Sequence, residues 1–262
     1  MGASSISSSL PDDPPVDELI GEARRLVSAA DERGLIVRLV GGAAVYLRTL
    51  PDGPLLPRRI NDIDLVTKIG ARAAVTAVLR EAGYVPDLMF NALHGAKRLL
   101  FYDEAHARKV DVFVGVFAMC HEIPIANRLE RETLTVPLAE LLMTKLQIVK
   151  LTERDQRDIY SLLYRHELAT GDPAAIETDV VGDLCARDWG LWRTVKATVE
   201  SCKANLGHYG LEVAAVNQIA ERLDSLWRAL DATPKTTRWK LRNRIGDRLP
   251  WYAEPEELTE AN

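Results

Sequence analysis

Along the first 118 residues the apolar positions alternate between helical and period-two spacing, and after Phe117 they keep a helical period. Val16, Leu19, Ile20, Ala23, Leu26, Val27 and Ala30 fall at helical spacing, opened by Asp13-Pro14 and stopped by Gly34, which predicts a helix covering one face of a sheet. Leu35 to Val40 is a short apolar run ended by Gly41-Gly42, and the apolar positions beyond the pair fit a helix, so a strand, a tight turn and a helix N-terminus are expected. Pro51 to Pro57 reads as a loop ahead of the alternating run Asp62-Ile63-Asp64-Leu65-Val66. Ala71 to Ala82, closed by Gly83, predicts another helix that returns the chain for Tyr84 to Phe90. Lys97 to Tyr102 and Lys109 to Val116 then form two strands around the turn Asp103 to Ala107, a hairpin that would set Asp111 beside Asp62 and Asp64.

Beyond that point helices follow one another. Leu138, Leu141, Leu142, Leu146 and Val149 make an apolar stripe, and Lys145 falls inside it. A lysine there must reach an anion or snorkel to the surface. Glu153-Arg154-Asp155-Gln156-Arg157-Asp158 opens a helix that buries Ile159, Leu162 and Leu163, and acidic residues in a first turn are ordinary dipole partners. Pro173 to Ala186, Trp189 to Leu206 and Val213 to Leu230 are three further helical stretches, with Trp189, Trp192 and Trp227 spaced to be buried. The pattern therefore predicts an α+β chain: a small mixed sheet flanked by helices over residues 16–118, then a helical domain over 119–262.

The chemistry concentrates between Val40 and Leu65. Glycines let the backbone approach a phosphate chain, and the unpaired N–H groups at the start of a helix attract negative charge. In a strand, residues i and i+2 share a face, so Asp62 and Asp64 point one way while Ile63 and Leu65 pack the other. Two adjacent carboxylates repel unless a cation sits between them, and a hard divalent ion such as magnesium is the natural occupant. Asp111, in the run Val110-Asp111-Val112-Phe113, offers a third carboxylate from a neighbouring strand. Arg98 and Lys109 flank the same hairpin and read as solvated charges; the letters Asp103-Glu104-Ala105-His106 read as turn residues, since no phosphate-binding Gly-x-x-x-x-Gly-Lys precedes them.

Gly-Gly followed by Asp-x-Asp and a later strand Asp resembles the nucleotidyltransferase superfamily with a polymerase-β-type palm. The form Gly41-Gly42-Ala43-Ala44, with Arg58 before Asp62-Ile63-Asp64, is similar to the AbiEii-type toxins of phage-defence and toxin–antitoxin systems. The resemblance runs from about Leu35 to Leu163 and departs from the usual pattern at Ile60, where many members carry Ser or Thr. It implies a palm domain over residues 16–118 and an enzyme that moves a nucleoside monophosphate from an NTP to an acceptor hydroxyl, releasing pyrophosphate. Asp62, Asp64 and Asp111 would bind two Mg2+ ions, with Mn2+ as the alternative, while Gly41 and Gly42 would hold the β- and γ-phosphates and Arg58 would meet the nucleotide. By position, Lys145 and Asp155 match the later motifs whose Lys and Asp line the catalytic cleft, Arg154 stands where Lys is usual, and Asp158 would pack the helix. Lys145 would offset charge on the triphosphate. A tRNA acceptor and an antitoxin partner are what the toxin families imply; an antibiotic-type small-molecule transferase or a non-catalytic nucleotide-binding scaffold are the rivals.

Composition changes this picture at the edges. The chain has 262 residues, 47% hydrophobic and 27% charged, with a net charge of −5, so no global basic field draws it to nucleic acid or lipid. Polynucleotide contact would have to be local, and Lys235, Arg238, Lys240, Arg242, Arg244 and Arg248, with Trp239, Trp251 and Tyr252 among them, form the one basic and aromatic stretch. Cys120, Cys185 and Cys202 fit neither a metal knuckle nor a disulfide framework and read as buried thiols of a reducing, cytoplasmic compartment; the Cys120-His121 dipeptide carries little weight as a site. Met1 to Pro15 has neither a basic n-region nor an apolar h-region and reads as a flexible leader, and no apolar run reaches the ~20 residues that cross a bilayer.

Overall fold

A computed structural model describes residues 16–254, so the leader expected over Met1 to Pro15 lies outside the described residues. The fold is α+β. Helix α1 (Val16–Asp31) leads to strand β1 (Val37–Val40), helix α2 (Gly41–Arg48), strand β2 (Asp62–Thr67) and helix α3 (Arg72–Glu81). Then come the two-residue strand β3 (Val85–Pro86), helix α4 (Leu88–His94) and the hairpin of β4 (Arg98–Asp103) and β5 (Arg108–Val114). The five strands form one mixed sheet in the order β1-β2-β5-β4-β3, with β2 and β5 parallel and every other pair antiparallel.

The apolar pattern explains the layers. Leu19, Ile20, Ala23, Leu26, Val27 and Ala30 of α1 are all buried, as the helical spacing predicts, and Ile63 and Leu65 are buried between flanking carboxylates on β2. The stretch from Tyr84 to Phe90 is not one returning segment. Asp87 accepts a hydrogen bond from the Phe90 N–H at 2.9 Å and so caps α4, ending β3 after two residues. The hairpin turn closes with Ala107 at φ +50, and Asp103 accepts from the His106 N–H, so the Asp-Glu-Ala-His letters are turn residues.

After β5 the chain is not uniformly helical. Small strand pairs β6 (Phe117–Ala118) with β7 (Glu122–Ile123), and β8 (Leu168–Ala169) with β9 (Ile176–Glu177), interrupt α5 (Leu138–Leu146), α6 (Glu153–Arg165), α7 (Thr178–Arg187), α8 (Trp189–Asn205), α9 (Val213–Ala232) and α10 (Thr237–Ile245). Val149, expected on the α5 stripe, lies beyond the helix. The loop before α5 returns to the sheet: the Leu39 N–H donates to the Leu134 carbonyl and the Val136 N–H to the Leu39 carbonyl, so residues 134–136 run along the outer side of β1. One buried apolar cluster runs from Leu19 through the sheet and α5 to Leu230, and α5 and α6 both pack on α2. Among the described residues no helix is long and apolar enough to cross a membrane.

Candidate functional site

The turn between β1 and α2 is built by close approach. Gly41 has φ +69, and a Cβ there would overlap the Asp64 carboxylate; a Cβ on Gly42 would come within 2.5 Å of Arg58 Nη2. The positive φ makes Gly41 a glycine position, and at Gly42 any Cβ would have to displace the Arg58 guanidinium. Val40, the residue before the helix, makes no capping hydrogen bond, so the first N–H groups of α2 are left for something other than a side chain.

Register then assembles the carboxylates. Asp64 lies opposite Asp111 and Asp62 opposite Lys109 on the parallel β2–β5 pair, so all three acids share one sheet face. Asp62 faces Lys109 Nζ at 3.6 Å, and no hydrogen bond reaches the Asp64 carboxylate among the described residues. Burial, then repulsion from Asp62 and Asp111, pushes the Asp64 carboxyl up to about 8, against the pull of Lys145 and Lys109.

Lys145 does not snorkel. Its side chain is 12% exposed and its Nζ lies 2.9 Å from Asp158 and 3.5 Å from Asp155. Burial works against its charge, but Asp158 and Asp155 outweigh it and hold the ammonium above its ordinary pKa. Asp158 also takes both arms of Arg58, at 2.7 Å each, and so ties α6 to α5 and to the strand-side loop. Burial would raise the Asp158 carboxyl, yet Lys145 and Arg58 keep it below the usual carboxylate range. Asp155 has a local duty as well: it is the third residue of α6 and makes a reciprocal capping box with Thr152. Gly42, Arg58, Asp62, Asp64, Lys145 and Asp155 together line a cleft of about 520 Å³.

Asp111 is differently placed. It is 2% exposed, and Arg98, expected to be solvated, is buried on the same face and clasps both its oxygens, Nε to Oδ1 at 2.8 Å and Nη2 to Oδ2. The guanidinium also lies 5.6 Å from the Phe90 ring and 5.3 Å from the Phe113 ring. Sequence spacing placed Arg98 beside the hairpin; its position diagonal to Asp111 across β4 and β5 follows from the register alone.

Asp62 and Asp64 suit a hard divalent ion, since they are oxygen donors on one sheet face and each would give up its proton or its lysine contact more readily with a cation between them. A three-carboxylate site is not formed in this conformation: among the described residues no three of His, Cys, Asp and Glu stand close enough to hold one ion. Both oxygens of Asp111 are bound by Arg98 instead.

Other sequence candidates fall outside the cleft. All three cysteines are free and buried. His121 is buried with Nε2 2.9 Å from Thr194 Oγ1, and burial holds its pKa below the ordinary value. In the basic stretch, Lys235 donates to the carbonyls that end α9, Arg242 lies 4.5 Å over the Trp189 ring, and Trp239 is buried, so these three build structure. Arg238, Lys240, Arg244 and Arg248 remain exposed. A larger cavity, about 860 Å³, lies elsewhere, with Arg98, Trp189, Arg238, Trp251 and Tyr252 in its wall.

No family model matches the chain, and no curated protein matches it. Among solved structures, the solution structure of the antibiotic-resistance factor ANT(2'')-Ia is similar at 13% identity and a TM-score of 0.40, over 74% of this chain and 98% of that one. A likeness that slight bears on neither fold nor activity.

Proposed function

We propose that this chain is a metal-dependent nucleotidyltransferase that moves a nucleoside monophosphate from an NTP to an acceptor hydroxyl. The observation that carries the reading is the opposition of Asp62 and Asp64 on β2 to the uncapped, glycine-led start of α2, with Lys145 held in the same cleft. A triphosphate suits that combination: backbone N–H groups and a fixed ammonium for its oxygens, and carboxylates for its counter-ion. Magnesium, or manganese in its place, held by Asp62 and Asp64, would neutralise the triphosphate and polarise the α-phosphorus.

The chain's own groups do the rest by placement. Gly41 and Gly42 admit the β- and γ-phosphates to the helix start, and Arg58, locked on Asp158, borders the same cleft. The acceptor oxygen bonds the α-phosphorus as the bond to the bridging oxygen breaks and pyrophosphate leaves with the electron pair. The hydroxyl proton passes to a carboxylate on the acceptor side, where Asp111 stands in register with Asp64. Lys145 balances charge on the departing phosphates. An AbiEii-type toxin acting on tRNA, with the exposed cations of α10 holding the RNA and an antitoxin as regulator, is the finer form of this proposal.

Incubation with α-labelled NTPs and magnesium, against total RNA, total protein and a panel of aminoglycosides and lincosamides, tests it. Label is expected on RNA. Label on an antibiotic would keep the transferase and replace its acceptor, and no transfer with no magnesium-dependent NTP binding by calorimetry would remove it.

A further inference from the structure

Resting on the transferase reading, we infer that Arg98 is a positioning residue that keeps Asp111 away from the metal site until an anionic group of the acceptor draws the guanidinium off. Three observations meet here. The carboxylate that register places beside Asp64 is not available to an ion, because both of its oxygens are bound to Arg98. A bidentate guanidinium–carboxylate pair is directional and strong, and at 2% exposure for Asp111 no water competes with it. Arg98 is also shared between Asp111 and the wall of the 860 Å³ cavity, so a molecule in that cavity borders the residue that makes the clasp.

The wall of the cavity indicates what such a molecule carries. Lys97 is paired with Glu122, and Arg242 is committed to Trp189 and to backbone carbonyls. The wall's carboxylates are engaged too, Asp188 as the cap of α8 and Glu254 with Lys150, while Arg238 is exposed and the rings of Trp251 and Tyr252 line the same cavity. A group that combines negative charge with an apolar or aromatic body is the chemistry this wall suits, and its anion is what would compete with Asp111 for Arg98. Release does not strand the cation, since Phe90 and Phe113 lie within cation–π distance and remain with it. The metal site would thus be completed by the acceptor, and an NTP arriving alone would meet two carboxylates rather than three.

Mn2+ uptake by the full chain, read by the loss of the free-ion EPR signal, tests this without any turnover. In the wild type, Asp111→Asn is expected to change Mn2+ affinity by less than about twofold, because Asp111 is not yet a ligand. Arg98→Gln is expected to tighten Mn2+ binding by about tenfold or more, a gain erased in the Arg98→Gln, Asp111→Asn double variant. Should Arg98→Gln fail to fold through the bare charge it leaves on Asp111, Arg98→Lys makes the same comparison with the charge retained. Millimolar sulfate is expected to tighten Mn2+ binding in the wild type and not in the Arg98 variants, with chloride at equal ionic strength as the control. Wild-type affinity falling tenfold on Asp111→Asn, or unchanged affinity in both Arg98 variants, overturns the clasp; a silent sulfate titration overturns release by an anion. Mn2+ uptake indifferent to Asp62→Asn and Asp64→Asn overturns the metal reading beneath it, a separate result.

Discussion

Asp64 sits where a negative charge is costly. Its carboxyl keeps its proton up to about pH 8 in the fold, against an ordinary value of 3.8, because it is buried and stands beside Asp62 and Asp111. Between those two values the folded chain binds the extra proton, so this group's contribution to stability is complete below about pH 4 and is lost as pH rises through about 8. Thermal melts of the metal-free protein at pH 5 and pH 8 should therefore differ more for the wild type than for Asp64→Asn, whose amide does not titrate. The same variant should lower nucleotide transfer by about 10²-fold or more while the chain stays folded, measured with labelled NTP and circular dichroism. Gly41→Ala is the steric counterpart. At φ +69, with a Cβ overlapping the Asp64 carboxylate, it should destabilise the chain by about 1–2 kcal/mol or more in urea titrations and remove transfer with it. Of these residues the sequence shows the carboxylates and the glycines plainly. It does not show Arg98, because an arginine at a strand start looks the same whether it meets solvent or a diagonal carboxylate, and only the register across β4 and β5 decides.

At the scale of elements, the site depends on how α6 is fastened. Asp158 is the common partner of Arg58 and Lys145, all three side chains being no more than 15% exposed. Asp158→Ala should cost roughly 3–5 kcal/mol in chemical denaturation, since it strands two buried cations, whereas Thr152→Ala should cost about 1 kcal/mol through the lost cap. The helix stripe shows Lys145 as one cation interrupting an apolar face and leaves open whether it reaches an anion or snorkels, because the pairing with Asp155 and Asp158 depends on how α6 packs against α5. The short strands β6 to β9 were equally hidden. Two-residue strands leave no alternation to detect, and they form because the loops between helices need partners for their backbone groups.

For the whole molecule, the buried cluster is continuous from α1 to α9, and α5 and the start of α6 share a cleft with Asp62 and Asp64. All five tryptophans lie between residues 189 and 251, while the sheet lies before residue 115. Fluorescence therefore reports the second half and far-ultraviolet circular dichroism both halves, and their urea transitions should coincide at one midpoint if the shared core makes unfolding cooperative. Separate midpoints would show that the halves come apart independently. A net charge of −5 leaves any polynucleotide contact to a local patch, and in the basic stretch Arg238, Lys240, Arg244 and Arg248 are the exposed cations.

The segment 134–136, laid along β1, has an effect on behaviour in crowded solution. Sheets grow into fibres by adding a foreign strand at an open side, and one side of this one is already taken by the chain's own return. The opposite side offers Val85 and Pro86, a pair too short to template a neighbour and half of it without an amide hydrogen. The scaffold beneath the carboxylates is thus closed to polymerisation at both flanks.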